Sequence, residues 1–240
     1  MHLATRGSFN ELWLSEADEK PLILSRNMLS SLLSKIASAD KDKPLLFLSP
    51  SGIAGADIKE MCDMTKEQAY DLSKLGTRLV EGILTFPSIV IFAAHRCLLG
   101  GGLELSLAAD FRFATVNCKY GLPEVGLGII PGFGGIQLAR LRSAGGKPEL
   151  FLTGDVFIPS EIDLGIFTHV DEDWTHLLAS VTKLISKLER ASSKALIQAK
   201  KELLMDFKLD REGVAKSFSE LFEQYDQRER MAAFFEERDH

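Results

Sequence analysis

Short apolar runs alternate with stretches of helical periodicity over the first two thirds of the chain. This alternation limits the possible folds more than any other feature. Residues 45–48 form a continuous apolar run after Pro44, stopped by Ser49-Pro50-Ser51-Gly52. Residues 89–93 form a second run, and residues 111–116 alternate large and small side chains. Such runs read as buried strands. Between the first two, Leu72, Leu75, Leu79, Val80 and Ile83 share one helical face. Thr65-Lys66-Glu67-Gln68 ahead of them has the form of a capping box. Upstream, residues 9–14 read as an edge strand and residues 21–24 as a short extended piece. Met28, Leu29, Leu32, Leu33 and Ile36 then follow a helical spacing, with Asn27 as the expected cap. A further helix over residues 103–109 starts directly from Gly100-Gly101-Gly102. Strands and helices in alternation favour an α/β architecture with crossover connections.

The character changes near Trp174. Leu177, Val181, Leu184, Ile185 and Leu188 share one helical face, and Phe218, Leu221, Phe222 and Tyr225 share another. The expected division is a core over residues 1–173 and a helical region over residues 174–240.

With 240 residues, 45% of them hydrophobic, the chain can bury one well-formed core. That excludes a disulfide-stapled miniprotein and a disordered acidic chain. Basic residues number 28 against 34 acidic, so no surplus of positive charge argues for nucleic acid or an anionic membrane as partner. Cys62, Cys97 and Cys118 form no CxxC pair and no zinc spacing, as expected of thiols in a reducing compartment. The first ten residues lack the apolar core of a signal peptide, and no apolar run approaches the ~20 residues of a membrane span. These features lead to the expectation of a soluble, cytoplasmic protein.

Three stretches stand out as chemistry. Residues 52–60, GIAGADIKE, follow a buried strand and are rich in small residues, which let backbone N–H groups approach a ligand. A plain strand-to-helix turn would look similar. Residues 99–104, LGGGLE, place three glycines at the opening of a helix. Free N–H groups and a positive dipole end there suit a phosphate or a developing oxyanion. No GK[ST] follows, so this is not a P-loop, and the GxGxxG fingerprint is incomplete. Glu104 in the first turn is also explained as a favourable helix charge. Residues 121–135, GLPEVGLGIIPGFGG, surround Glu124 with Gly and Pro, as a shaped loop or as a solvated one. Taken together, they suggest two carboxylates, 20 positions apart, beside paired backbone donors. Two acids facing one water can divide the roles of base and acid.

On these residues the sequence resembles the enoyl-CoA hydratase/isomerase family, the crotonase superfamily. The matching pieces are AGADIKEM (54–61), LGGGLEL (99–105), GLPEVGLGIIPGFGG (121–135) and LTG (152–154), in the family's order and spacing. The tail over residues 229–238 resembles the family's closing helix. The resemblance implies an α/β, crotonase-like spiral of ββα units with a helical C-terminal region used in trimer contacts. It implies a homotrimer or a dimer of trimers, and an acyl-CoA substrate. It puts the oxyanion hole at the backbone N–H groups of Ala56 and Gly101, and the acid/base pair at Glu104 and Glu124. It lays coenzyme A along Ala54, Ala56, Asp57, Ile58, Lys59 and Gly101. No metal or further cofactor is implied, since coenzyme A is part of the substrate. The implied reaction is addition of water to a 2-enoyl-CoA. The alternatives are a Δ3,Δ2-enoyl-CoA isomerase, a polyketide-type dehydratase or decarboxylase, and a non-catalytic acyl-CoA-binding or scaffold member. Isomerases of the family commonly keep only the second glutamate, so having both leans toward hydration.

The chain departs from the family at three places. His95-Arg96 stands where Asn-Gly is usual, and Ile136-Gln137-Leu138 where Thr-Gln-Arg is frequent. The N-terminal Arg-Pro…Asn-Ala-Leu pattern is reduced to Arg26-Asn27-Met28-Leu29. These changes bear on the acyl pocket and the substrate range. His95 reads as packed or exposed, with no partner evident. Lys59 reads either as a neutraliser of coenzyme phosphates or as a surface lysine. Asp110 reads as a buried structural aspartate, and the Phe218 stripe as core or trimer contact.

Overall fold

The structure is a computed structural model, and it describes residues 1–16, 19–143, 147–162 and 164–236. In chain order come strands β1 (His2–Arg6), β2 (Phe9–Trp13) and β3 (Leu22–Leu24), helix α1 (Arg26–Ser38), and strands β4 (Leu45–Ser49) and β5 (Ile53–Ala56). Helices α2 (Ile58–Cys62) and α3 (Lys66–Leu84) follow, then β6 (Val90–Ala94), β7 (Cys97–Leu99), α4 (Gly101–Leu107), β8 (Phe111–Thr115) and β9 (Lys119–Gly121). A 3-10 turn spans Pro123–Leu127. The remainder is α5 (Gly135–Arg142), α6 (Glu149–Leu152), β10 (His169–Asp171), α7 (Trp174–Arg190), α8 (Ser193–Leu203), α9 (Arg211–Glu220) and α10 (Tyr225–Glu236).

From β2 onward, consecutive strands fall in alternate sheets. The six-stranded sheet has the order β1-β2-β4-β6-β8-β10, and the four-stranded sheet β3-β5-β7-β9. Among the pairs these described strands form, only β1–β2 is antiparallel. Each turn of the spiral therefore adds one strand to each sheet, and helices fill the returns, as the ββα expectation requires.

The large sheet is buried on both faces, which is why its central strands read as unbroken apolar runs. Along β4 and β6 the side chains alternate between two cores. Phe47 and Phe92 stack at 5.3 Å in the inner core, while Leu46, Leu48, Ile91 and Ala93 face outward against Leu177, Val181 and Ile185 of α7. The capping box holds on both arms. Thr65 Oγ1 accepts from the Gln68 N–H, and Gln68 Oε1 accepts from the Thr65 N–H.

Several expectations are corrected. Helix α1 is capped by Ser25 rather than Asn27, since Ser25 Oγ accepts from the Met28 N–H at 3.3 Å. β2 is not an edge strand, because β1 pairs on its outer side. Phe218, Leu221 and Phe222 do not lie on one helix. Phe218 belongs to α9, whereas Leu221 and Phe222 sit in a 3-10 turn. Tyr225 opens α10, and its side chain lies outside what is described, as do Glu237 and Arg238 of the closing tail.

Candidate active site

β5 and β7 run side by side and end beside α4. A Cβ placed on Gly55 would stand 3.0 Å from the Leu99 carbonyl, which shows how closely the two strand ends approach. Gly100 turns the chain from β7 into α4 with φ +50° and ψ −126°, a conformation open to glycine and strained for other residues. Its N–H donates to the Gly121 carbonyl at 3.0 Å, which ties the turn to β9. Gly101 is the first residue of α4, so its N–H has no acceptor within the helix. Ala56, at the end of β5, and Gly101 both line one cavity of about 440 Å³.

Glu104 lies one turn further along α4 and is 1% exposed. Its Oε1 accepts two backbone bonds, from Phe133 at 2.8 Å and Gly135 at 2.7 Å. The glycine-rich loop at 131–135 thus grips the carboxylate at the start of α5, where the helix dipole favours a negative charge. Burial still dominates and pushes its pKa up to about 7, with the two N–H bonds pulling the other way.

Glu124 enters from the opposite wall, on the 3-10 turn that Pro123 opens. It is 8% exposed, and its Oε2 is buried with no hydrogen-bond partner among the described residues. Its Oε1 lies against Gly100, 2.9 Å from where a Cβ there would stand. Burial first, and then the Glu104 charge, raise its pKa well above the usual carboxylate range. Two carboxyl groups thus share one cavity in different states. Two N–H bonds favour the anion of Glu104, while burial and the neighbouring Glu104 charge favour the protonated form of Glu124.

The cavity has two ends. Ala54, Ile58, Arg230 and Phe234 line its accessible side. Leu72, Phe133 and Phe218 close its buried side, at 2%, 2% and 3% exposure. Of the residues that the resemblance laid along coenzyme A, Ala54, Ala56, Ile58 and Gly101 line the cavity. Asp57 does not line the cavity. Its Oδ1 caps α2 by accepting from the Lys59 and Glu60 N–H groups. Lys59 is exposed, with its Nζ 5.9 Å from the Phe235 ring centre. Phe133, Leu72 and Arg230 were not read from the sequence as cavity residues, and Phe218 was assigned to core or trimer contact although it reaches the cavity. Phe133 looks like filler in a glycine-rich run. Its one sequence signal is being the sole aromatic residue between two pairs of small residues.

The substitutions at His95 and Arg96 fall elsewhere. Neither lines the cavity. Thr115 Oγ1 donates to the His95 carbonyl at 2.8 Å, so its contact of 3.0 Å with Nδ1 is an acceptor's, and Nδ1 carries the proton. Among the described non-glycine residues only Lys147 has positive φ, so Arg96 causes no backbone strain. Asp110 is structural, as expected. It accepts from the Val90 N–H at 2.8 Å and pairs with Lys200 at 2.7 Å. Among the described residues no three His, Cys, Asp or Glu side chains converge as a metal site, and no helix is long and apolar enough to cross a membrane.

The family model for enoyl-CoA hydratase/isomerase matches residues 52–240. The chain is 37% identical over 192 residues to a probable enoyl-CoA hydratase of Bacillus subtilis, covering 77% of this chain and 74% of that one. It is 34% identical over 227 residues to a crotonyl-CoA hydratase of Syntrophomonas wolfei, covering 90% and 87%. A crystal structure of an enoyl-CoA hydratase from Bacillus halodurans superposes with a TM-score of 0.86 over 97% of this chain and 98% of that one, at 20% identity. That last likeness is one of fold. A putative enoyl-CoA hydratase structure from Mycobacterium avium paratuberculosis gives 0.79 at 25% identity, covering 96% and 92%. The alternating two-sheet spiral, the family-model match and the identities to these relatives have one explanation: the chain belongs to the enoyl-CoA hydratase/isomerase family.

Proposed function

We propose that this chain is an enoyl-CoA hydratase, a hydro-lyase that adds water across the 2,3 double bond of an acyl-CoA thioester. The observation that carries the reading is the pair of buried carboxyl groups on opposite walls of one cavity, Glu104 gripped by two N–H bonds and Glu124 with an oxygen that has no partner among the described residues. Relatives that align along most of the chain are named crotonyl-CoA hydratase and short-chain-enoyl-CoA hydratase.

In this reading the thioester oxygen sits at the N–H groups of Ala56 and Gly101. Water attacks C3, and Glu104 takes one of its protons. Electrons move through C2 to the thioester oxygen, where the two N–H donors and the dipole of α4 stabilise the enolate. One such donor is typically worth about 3 kcal/mol. Glu124 then delivers its proton to C2. The reverse proton movements regenerate both groups through solvent. The sum is water plus alkene giving alcohol, with no net redox change, so no cofactor beyond the coenzyme A of the substrate is required. Burying two carboxyl groups beside an open cavity costs stability and brings nothing to a scaffold. That argues against a non-catalytic acyl-CoA-binding member.

Assembly as a homotrimer or a dimer of trimers, and a cytoplasmic location, belong to the same proposal. The three cysteines are unpaired, in keeping with a reducing compartment. Light scattering reads the assembly. The decisive test follows crotonyl-CoA by its enone absorbance in wild type, Glu104→Gln and Glu124→Gln. Turnover lost by orders of magnitude in both variants supports the two-glutamate hydratase. Binding without any absorbance change overturns hydration of short enoyl-CoA. Turnover of a 3-enoyl-CoA that needs Glu124 alone would point to the isomerase.

A further inference from the structure

The buried end of the cavity is sealed at one junction. Ser73 Oγ donates to the Gly132 carbonyl at 2.5 Å, which fixes α3 to the loop at 131–135. The Phe218 ring lies on Gly132, 2.7 Å from where a Cβ there would stand. Beside it the Phe133 ring fills a slot between two glycines. A Cβ on Gly76 of α3 would come within 2.0 Å of the ring, and one on Gly101 of α4 within 2.7 Å. Only hydrogen at both positions leaves the ring its place.

Phe133 is also tied to the reacting centre. Its N–H holds Glu104, and its ring packs on Gly101, the residue assigned an oxyanion donor. An acyl chain whose C1 sits at Gly101 and whose C3 faces Glu104 has its next carbons beside this ring. We infer that Phe133 is the specificity-determining residue of the site. Seated between Gly76 and Gly101, its ring ends the acyl compartment and restricts the enzyme to short, apolar, unbranched acyl chains. A longer chain has to unseat the ring or break the Ser73–Gly132 bond. No charged side chain lines this end, so a second carboxylate on the acyl group has no partner there.

This inference rests on the acyl-CoA reading of the site, and its test separates the two. Hydration of C4, C6 and C10 2-enoyl-CoA is compared in wild type, Phe133→Leu and Gly76→Ala. Binding of the unreactive butyryl-CoA and decanoyl-CoA is measured alongside by calorimetry. Phe133→Leu keeps the backbone bond to Glu104 and opens the slot, so the C10-to-C4 ratio of kcat/KM rises by about tenfold or more, in line with a few methylenes gained in an apolar pocket. Gly76→Ala pushes the ring into the cavity, so C6 loses more than C4. The binding ratios shift in the same directions. If wild type binds acyl-CoA but hydrates none, the hydratase reading fails, and the binding ratios alone decide the role of Phe133. An unchanged ratio in folded Phe133→Leu, or a wild type that takes C10 as readily as C4, overturns the inference. If Phe133→Leu does not fold, Gly76→Ala decides it by the same ratios.

Discussion

The Gly135 N–H donates to Glu104 Oε1 at 2.7 Å, linking helices α5 and α4 across 31 positions of sequence. The same glycine leaves no room for a side chain. A Cβ there would stand 2.8 Å from Glu104 Cγ and 2.9 Å from Oε1. Gly135→Ala therefore displaces the carboxylate while leaving Gly101 and Ala56 in place. Misplacing a catalytic group by about 1 Å costs on the order of 10²-fold. Steady-state kinetics on crotonyl-CoA should show kcat falling by about that factor, with KM nearly unchanged. A KM effect alone would mean that Glu104 is not the base.

The two carboxyl groups also set a pH profile. The Glu104 pKa of about 7 gives a rising acid limb as the base loses its proton. Glu124, held well above the usual range, gives a falling limb at higher pH as the acid is lost. The limbs belong to the coupled pair. A bell-shaped kcat/KM profile is expected, and Glu104→Asp should shift its acid limb. A flat profile across pH 5–9 would contradict the assigned roles.

On the acid limb, stability should move the other way from activity. A glutamate raised in the folded state binds its proton more tightly folded than unfolded. Its contribution is fully present below pH 4.5 and is lost as pH rises through its folded pKa. For Glu104 the window runs from the reference 4.5 to about 7, and for fully buried groups such a shift amounts to about 3 kcal/mol. Glu124 extends the loss to higher pH. Thermal melts should show Tm declining between pH 5 and 8 once other groups are matched, with a shallower decline in Glu124→Gln. Equal slopes in the two proteins would show that Glu124 does not carry a raised pKa.

What was legible in the sequence was local. Thr65 and Gln68 announce a capping box because both partners lie within one turn. The buried strands of the large sheet show as apolar runs because both faces are covered. Of the small sheet only β3 showed, as the extended piece at 21–24, since β5, β7 and β9 have three or four residues each, too few for a period. Glu104 and Glu124 were found through their glycine-rich surroundings. Their difference was not, because it arises from Phe133 and Gly135 on a distant loop. Phe133 and Phe218 were missed as cavity walls for the same reason. Their role depends on Gly76, Gly101 and Gly132, and an empty space leaves no mark on a helical pattern.

Asp110 and Lys200 join α8 to the core through a bond of 2.7 Å, with their side chains 13% and 7% exposed. Lys200 also donates to the Ser88 carbonyl at 2.9 Å. Removing one partner of a buried pair leaves the other charge uncompensated, typically at 3–5 kcal/mol. Arg112 and Arg142, also near Asp110, add to the uncompensated positive charge. Asp110→Asn should therefore lower unfolding free energy by about 3–5 kcal/mol in urea titrations, while kcat at low temperature is retained. A loss below about 1 kcal/mol would show that the pair is solvated.

The departures at His95 and Arg96 give the last test, because a loop altered at these two positions could idle a member of the family. His95 is directed away from the cavity, with Nδ1 on Thr115 and its ring centre 6.3 Å from that of Trp174. Burial lowers its pKa, and the neighbouring Arg96 lowers it further, so it is neutral at pH 7. Arg96 has an ordinary negative φ, and its carbonyl accepts from the Lys119 N–H at 3.0 Å, a bond that any residue supplies. Restoring the family's usual pair with His95→Asn and Arg96→Gly should therefore leave kcat/KM for crotonyl-CoA within about twofold. The glycine should cost about 0.4–1 kcal/mol through the freer unfolded chain. A large gain in turnover on restoration would mean that the loop, and not the glutamate pair, limits the chemistry.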